Sequence, residues 1–450
     1  MRKKFFSPLF LFMAATQLLN AQDNNSAAGR FSLAEAQEYA LKNSAGVLNA
    51  GLDRNIAKAK RNEVAGMGFP QVGSSLDVKD FIELPTNLLP GEKFGGPKGS
   101  FIPLKFGTQY NATAAIQASQ LIFNSDYLVG LQASKTFIEL SEKNYERTCI
   151  ETKAAVAKAY YTVLVSRERM KLLDANISRL KKLKDDTKVM FDNGFVEKTD
   201  LDRIELAFNN ILTEKEKTGR LIALSEALLK FQMGFDLNAP LILSDSLNIS
   251  SLDKILPADT AAFNYSNRVE YSLLQSQLRL NMLDARRNRL HYIPTLVAYG
   301  NLSTQAQRNT MDIFESGKPW YPFSIVGATL NVPLFDGLQN SQRIRQASLN
   351  VLKTKNSLKN LESAISLELR SSLAGYRNAA ASLVTQKKNT ELAETIYNTA
   401  KAKYEQGVGS SLEIMTAETT LKEAQVNYYG ALYDALIAKT DYEKASGLIK

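Results

Sequence analysis

The chain has 450 residues, a formal net charge of +9, and 44% apolar and 22% charged residues. This composition can build a sizeable folded core and excludes disorder as the main state. The single histidine and the single cysteine, His291 and Cys149, exclude a His/Cys metal cluster, an internal disulfide framework and most histidine-dependent catalysis. No phosphate-binding glycine loop, HExxH pattern or GxSxG pattern is present in the sequence, so we do not expect an enzyme.

The N-terminal segment has the pattern of a secretory signal peptide. Basic residues at positions 2–4 precede an apolar run that ends at Leu19, and Ala21 stands at a plausible cleavage site. We therefore assign residues 1–21 to a signal peptide and expect the mature chain to be exported. After Ala21, no run approaches the roughly 20 apolar residues of a transmembrane helix, so any membrane-spanning part would be β-structure.

The next segment changes from helical to strand periodicity. Ser32 and Glu35 form a capping-box pattern that opens a first helix of about 35 residues. Alternating apolar residues then predict strands at about 71–82 and 104–122, of membrane-spanning length. The prolines and glycines between Leu84 and Pro103 indicate a long loop between these strands.

Two long stretches without proline predict long helices. No proline lies between Pro103 and Pro240, and none follows Pro333. The first stretch predicts helices at about 124–191 and 199–233, with apolar residues at heptad spacing. At 1.5 Å per residue, the longer helix would span roughly 100 Å, which is more than a globular domain uses. A coiled-coil hairpin is therefore expected.

The same order of elements occurs twice. A connector is predicted at residues 236–264, and Phe123-Asn124 recurs as Phe335-Asp336. This spacing indicates an internal duplication, with a first structural repeat at residues 22–235 and a second at 265–450. The elements predicted in the second repeat are strands at about 294–304 and 323–335 and long helices at about 336–404 and 411–446.

The four predicted strands are too few to close a barrel. An open sheet edge in hydrocarbon leaves backbone groups unsatisfied, and the smallest closed membrane barrels have about eight strands. Several copies would therefore share one barrel, with eight strands in a dimer or 12 in a trimer. The helices are rich in Lys, Asp, Glu, Asn and Gln and would project into water. A soluble alternative is a periplasmic coiled-coil scaffold protein with a small β-domain.

Short motifs, taken in their order along the duplicated unit, resemble the TolC-like outer membrane efflux proteins over residues 31–447. The motifs are Ser32-Leu33-Ala34-Glu35-Ala36, Tyr39-Ala40-Leu41-Lys42-Asn43, Phe69-Pro70, Asn267-Arg268-Val269-Glu270, Ile293-Pro294 and Pro333-Leu334-Phe335-Asp336-Gly337. The resemblance implies a mainly α fold with a membrane β-barrel. It implies a homotrimer with a 12-stranded barrel in the cell outer membrane and long coiled-coil hairpins in the periplasm.

The resemblance also implies a function and partners. The chain would form the passive outer-membrane exit duct of a tripartite efflux or type I secretion system. Its partners would be further copies of itself, a periplasmic adaptor, an inner-membrane pump of RND or ABC type and outer-membrane lipid. No cofactor, metal or nucleic acid is implied, and no motif distinguishes small-molecule cargo from protein cargo.

In that family, the tip of the second helical hairpin forms the periplasmic aperture, and both tips contact the adaptor. The matching aperture residues are Tyr404, Glu413 and Thr416. The matching tip residues are Gly194, Asp200, Gly407 and Gly409. Relatives close to the prototype have a basic residue at the position of Gly409 and an acidic residue at that of Thr416. A lock centred on the tyrosine is therefore incomplete in this sequence.

Four of these residues also have simple structural explanations. Glu413 can form a capping box with Ser410, and a carboxylate in a first helical turn is favoured by the helix dipole. Asp200 can be an ordinary helix-start residue, and Gly194 and Gly407 can supply the positive φ of tight helix turns. If three copies converge, three Glu413 carboxylates would form a negative ring that favours cations.

Overall fold

The structure is a computed structural model that describes residues 29–247 and 263–449. The signal peptide predicted at residues 1–21 lies outside the described residues, as does the part of the connector from 248 to 262. The α-helices are α1 (Leu33–Asn43), α2 (Ala45–Gly66), α3 (Ser125–Asp192), α4 (Lys198–Met233), α5 (Val269–Leu290), α6 (Gln339–Glu405) and α7 (Ser411–Ala445). The strands are β1 (Gly29–Phe31), β2 (Gln71–Asp80), β3 (Thr86–Pro90), β4 (Phe101–Lys105), β5 (Tyr110–Phe123), β6 (Leu241–Leu243), β7 (Thr295–Arg308) and β8 (Tyr321–Asn331).

The main sheet is antiparallel and has the strand order β2-β5-β7-β8. Its strands have 10, 14, 14 and 11 residues, which is enough to cross the hydrocarbon layer of a membrane. β2 and β8 are the edges, and neither has a partner on its outer side within the described chain. The sheet is therefore open on both sides.

The two faces of this sheet differ in polarity. The pairing of Val72 with Ala118, of Ala118 with Gly300 and of Gly300 with Val326 places a row of apolar residues on one face. On the other face, Ser75, Ala115 and Ser303 form a row that ends at Phe323. Leu76, Ile116, Leu302 and Val326 are exposed on the apolar face. An exposed apolar face of this extent is typical of a surface that contacts another protein or a membrane.

The loop predicted from Leu84 to Pro103 contains regular structure. It folds into the hairpin β3–β4 with a short 3-10 helix, Gly91–Phe94, between the two strands. The strand predicted at 104–122 is divided, because Gly107 has a φ of 119° and interrupts the chain between β4 and β5. The prediction of one long loop and one continuous strand was therefore wrong at this point.

The first helix, predicted as one element of about 35 residues, is broken in two. Ser44 has extended backbone angles, φ −67° and ψ 133°, and separates α1 from α2. The break allows Gly234, at the end of α4, to lie against the backbone of Asn43. At the start of α1, Ser32 and Glu35 form the capping box that the sequence predicts. The return helix α4 begins at Lys198 with Glu197 as its N-cap, one residue before the predicted start.

The connector predicted at residues 236–264 contains a strand, β6, in its described part. β6 pairs in parallel with β1 and ties the connector to the start of the first repeat. Phe31, Tyr39 and Phe235 form three edge-to-face ring pairs beside this small sheet, with centroids 5.3 to 5.6 Å apart. The buried hydroxyl of Tyr160 donates a hydrogen bond of 3.1 Å to the carbonyl of Phe31.

The long helices form a layer, and each helix at an edge of the layer packs against neighbours on its inner side only. Next to the sheet, α3 packs on α2 and α5, and α5 packs on α6. Towards the hairpin tips, α3 packs on α4 and α7, and α7 packs on α6. Within the described residues, α2 and α4 therefore lie at one edge of the layer, and α6 lies at the other. No helix in residues 29–247 or 263–449 is both long and apolar enough to cross a membrane.

Matching helix lengths reflect the duplication. α2 and α5 each have 22 residues, α3 and α6 have 68 and 67, and α4 and α7 have 36 and 35. Gly234 meets the backbone of Asn43 just before α2, and Gly447 meets the backbone of Asn267 just before α5. The same helix end thus abuts the same helix start in both repeats.

Candidate functional site

The sequence-predicted tip residues lie in two helical turns. Gly194, in the turn from α3 to α4, has a φ of 79°, and Gly407, in the turn from α6 to α7, has a φ of 72°. A Cβ added to either residue would meet nothing within 4 Å. These two glycines are therefore required by the backbone conformation of the turns and not by close packing.

Gly409 is constrained by close packing instead. Its backbone N–H donates a hydrogen bond of 3.1 Å to the carbonyl of Lys403. A Cβ at this position would come within 3.0 Å of the Lys403 Cβ and the Tyr404 backbone nitrogen. A larger side chain at this position would push the turn away from the end of α6, so the site favours glycine over a basic residue.

Tyr404 joins the two hairpins. Its side chain is buried, and its hydroxyl lies 2.9 Å from Oγ1 of the fully buried Thr187 on α3. Around this pair, α3, α4, α6 and α7 share one apolar cluster. Its members at the hairpin interface include Leu183, Ile204, Tyr397, Ile414 and Leu421. The tyrosine thus ties α6 to α3 within this cluster.

Glu413 lies in the first turn of α7 and forms an ion pair with α6. Its backbone N–H donates a hydrogen bond of 3.2 Å to Oγ of Ser410, the N-cap of α7. Its carboxylate lies 3.1 Å from the Lys403 ammonium on α6, and both side chains are about half exposed. Thr416 donates its hydroxyl to the carbonyl of Leu412, 2.7 Å away on its own helix. Glu413, Thr416 and Lys403 line one open groove between α6 and α7.

Asp200 makes a second connection between the hairpins. Its carboxylate accepts a hydrogen bond from the hydroxyl of Ser411, the first residue of α7, and lies 3.4 Å from the Arg203 guanidinium. Asp200 is thus a residue of the first turn of α4 that also contacts the opposite hairpin. Tyr404 and Asp200 fasten the second hairpin to the first, and Lys403–Glu413 closes the second hairpin on itself.

Sequence reasoning missed the partners of these residues. Thr187 and Ser411 are ordinary helix residues in the sequence, and only the packing of two hairpins brings them to Tyr404 and Asp200. Lys403 could have been found, because it lies one residue before Tyr404 and supplies a basic group near Glu413. Among the described residues, no group of three or more His, Cys, Asp or Glu side chains could hold a metal ion.

Comparison with protein families matches residues 270–448 to the model described as "Outer membrane efflux protein". TolC of Vibrio cholerae is 20% identical over 347 residues, which cover 75% of this chain and 77% of that protein. TolC of Escherichia coli is 22% identical over 357 residues, with coverages of 76% and 71%. The alkaline protease secretion protein AprF of Pseudomonas aeruginosa is 21% identical over 307 residues, with coverages of 66% and 62%.

Solved structures share the fold. CusC, a protein described as forming a transmembrane channel, superimposes with a TM-score of 0.75 over 92% of both chains at 14% identity. The outer membrane protein VceC of Vibrio cholerae superimposes with a TM-score of 0.71 over 92% of this chain and 96% of that one at 13% identity. The family model, the relatives and the solved structures thus confirm the resemblance that the sequence motifs indicate, which is to the TolC-like outer membrane efflux proteins.

Proposed function

We propose that the chain is one third of a passive trimeric exit duct that spans the outer membrane and the periplasm. A periplasmic adaptor and an inner-membrane pump would engage this duct in a tripartite efflux or type I secretion system. The observation that carries the proposal is that a single copy is open along both of its sides, from the sheet to the hairpin tips.

The unpaired strands support a ring of copies. The outer backbone groups of β2 and β8 have no strand partner within the described chain, and the sheet also carries an exposed apolar face. If β2 of one copy pairs with β8 of the next, the outer backbone groups of both strands are hydrogen-bonded, because a closed ring has no edge. In a membrane, lipid would then cover the apolar face. Three copies of a four-stranded sheet give a 12-stranded barrel, with its apolar face towards lipid.

The helices support the same arrangement. Apolar side chains stay exposed on the outer helix at one edge of the layer, α4, at helical spacing: Leu221, Leu224, Leu228 and Phe231. The outer helix at the other edge, α6, exposes Val384, Leu392 and Ile396. Different edges that complement each other produce head-to-tail contacts, which close into a ring when the rotation permits.

The tips would then meet on the ring axis. We propose that Tyr404, Glu413 and Thr416 line the periplasmic aperture, and that the adaptor contacts the turns at Gly194, Asp200, Gly407 and Gly409. The Lys403 ammonium offsets the charge of each Glu413, so the proposed ring is less negative than the carboxylates alone would make it. Relatives named for efflux and for protease secretion leave both cargo classes within the proposal.

A conductance measurement tests the duct. We expect the purified protein to come from the outer-membrane fraction, to migrate as a trimer until heated, and to produce discrete conductance steps in planar lipid bilayers. Salt would not remove it from the membrane. A protein that salt washes off the membrane and that never conducts would contradict the duct and favour the periplasmic coiled-coil scaffold.

A further inference from the structure

A carboxylate is buried in the hairpin interface above the proposed aperture. Glu418 lies on α7, and only 6% of its side chain is exposed. It belongs to the inward-facing row of α7 that also contains Ile414, Leu421 and Gln425. A charge at such a position is costly unless it is paired and fully hydrogen-bonded.

The groups that face Glu418 compensate this charge incompletely. The nearest cation is Arg179 of α3, whose Nη2 lies 3.8 Å from Oε1 of Glu418, beyond hydrogen-bond distance. Oε2 of Glu418 has no hydrogen-bond partner among the residues that the structure describes. Burial therefore raises the pKa of Glu418, and the charges of Arg179 and Lys422 only partly oppose this shift.

Both cations are engaged elsewhere. The guanidinium of Arg179 donates to Oδ1 of Asn176 and lies 5.4 Å from the centre of the Tyr397 ring on α6. The ammonium of Lys422, one turn along α7, lies 2.5 Å from the Glu214 carboxylate on α4. Arg169 of α3 holds the same carboxylate from its other side. Each of the four helices thus presents a polar or charged group at this level, and Glu418 is the incompletely paired member.

These contacts join the two hairpins at a second level. Asn176 of α3 donates a hydrogen bond of 3.2 Å to Oε1 of Gln425 on α7. Arg179 connects that pair to Glu418 and to Tyr397, which lies on α6 two turns before Tyr404. A change in the charge of Glu418 therefore acts on the helix that carries the aperture tyrosine.

We propose that Glu418 is a proton-sensitive positioning residue that sets how tightly the second hairpin is held against the first. The packed interface favours the neutral carboxyl, whereas an arrangement that admits water favours the carboxylate. Acid therefore tightens the interface and neutral pH loosens it. Each chain contributes up to about tenfold per pH unit to the ratio of tight to loose forms. The link from this residue to closure of the duct rests on the function proposed above.

A distance measurement tests the positioning role without requiring conduction. Spin labels at Lys188→Cys on α3 and Leu412→Cys on α7, in a Cys149→Ser background, would report the separation of the hairpins. Between about pH 4.5 and pH 8, we expect the wild-type distance distribution to shift towards shorter distances as the pH falls. Glu418→Gln should keep the short distribution throughout. Glu423→Gln, which removes a charge from the exposed side of the same helix, should titrate like the wild type.

A second variant keeps the test decisive if Glu418→Gln folds poorly. Arg179 lowers the pKa of Glu418, so Arg179→Gln should move the midpoint of the distance change to higher pH. A wild-type distribution that does not change with pH, or a change that Glu418→Gln leaves intact, would overturn the proposal. In bilayers, acid should lower the fraction of open wild-type channels, whereas Glu418→Gln should keep that fraction low at every pH. Complete absence of conductance would instead contradict the duct and leave the distance result to decide on Glu418.

Discussion

Two buried charged residues in this chain have opposite surroundings. Arg268, just before α5, is satisfied: it bonds the carboxylates of Glu270 and Glu368, at 3.0 and 2.9 Å, and the carbonyl of Ala445 at 2.9 Å. Glu418 has one distant cation and an oxygen without a hydrogen-bond partner in the described chain. A buried charge with a full set of partners stabilises the arrangement that supplies them, whereas an incompletely paired one carries a desolvation cost that hydration or neutralisation relieves.

Replacement of Arg268 should therefore be strongly destabilising. Arg268→Leu leaves the Glu270 and Glu368 carboxylates without their cation and the end of α7 without its hydrogen-bond donor. We therefore expect the free energy of unfolding to fall by about 3–5 kcal/mol. Thermal unfolding followed by circular dichroism would measure the loss. The matched control is Arg279→Leu. The ion-pair partner of Arg279 is Glu139, whose side chain is more than half exposed, so this change should lower the free energy of unfolding by less than about 1 kcal/mol.

The effect of Arg268→Leu should depend on pH. Burial alone would raise the pKa of Glu270, but the hydrogen bond and the charge of Arg268 lower it below its usual 4.5. This stabilisation is present above the pKa of the unfolded chain and is lost as the pH falls through the lower pKa of the folded chain. The difference in free energy of unfolding between Arg268→Leu and the wild type should therefore shrink below about pH 4.5. A difference that stays constant in acid would contradict this role of Glu270.

At the scale of elements, the ends of the helices set where the hairpins begin and stop. Four helix ends carry a glycine with positive φ, at Gly194, Gly234, Gly407 and Gly447. The two at the tips face open space, but the two at the other ends of the hairpins lie against backbone. Space is thus open around the glycines of the two tip turns, whereas the opposite ends of the hairpins are held against the start of each repeat.

This contrast predicts unequal effects of alanine. Gly407→Ala should lower the free energy of unfolding by about 1–2 kcal/mol, because only the left-handed backbone angle of Gly407 opposes a Cβ. Gly234→Ala has the same backbone penalty, and its Cβ would lie 2.4 Å from the carbonyl oxygen of Asn43, so its loss should be larger. Chemical denaturation of the two variants would compare them. Equal losses would show that the approach of α4 to Asn43 is not tight.

The elements differ in how far the sequence could predict them. Heptad spacing and the absence of proline are local signals, and they predict the long helices to within a few residues. The break at Ser44 has no local signal, because it accommodates Gly234 from a distant part of the chain. Tyr404 could be chosen from a family motif, but Thr187 could not, since their contact depends on packing between two hairpins. Glu418 had an unused signal: Ser411, Glu418 and Gln425 occupy one heptad position of α7 and are all buried.

At the scale of the whole molecule, the proposed assembly depends on the two edges of one copy. β2 with α2 and α4 lies on one side, and β8 with α6 lies on the other, so the two sides are different surfaces. Self-association through different surfaces is head-to-tail, whereas contact of one side with itself would stop at a dimer. The edge contacts therefore distinguish a ring from a simple pair.

Cysteine cross-linking distinguishes these arrangements. Ser74 on β2 and Ser324 on β8 lie in one row of the sheet, because Ser74 pairs with Ile116, Ile116 with Leu302 and Leu302 with Ser324. Three strand spacings of about 4.8 Å separate them within a copy, which is too far for a disulfide. In a Cys149→Ser background, the double variant Ser74→Cys/Ser324→Cys should form linked dimers and trimers on a non-reducing gel. Cysteines two residues before and two residues after Ser324, on the same face of β8, should be tried in parallel with Ser74→Cys. Barrel shear can shift the register between copies.

The single variants give this experiment its control. In a head-to-tail ring, Ser74→Cys alone and Ser324→Cys alone should stay monomeric on the gel, because each cysteine faces an unmodified strand of the neighbouring copy. Co-expression of the two single variants should restore the linked dimer but no fully linked ring. If Ser74→Cys alone formed a dimer, β2 would pair with β2, and the trimeric duct would be contradicted. A ladder that ends at three copies requires both edges of every copy to be engaged, as a closed ring of three demands.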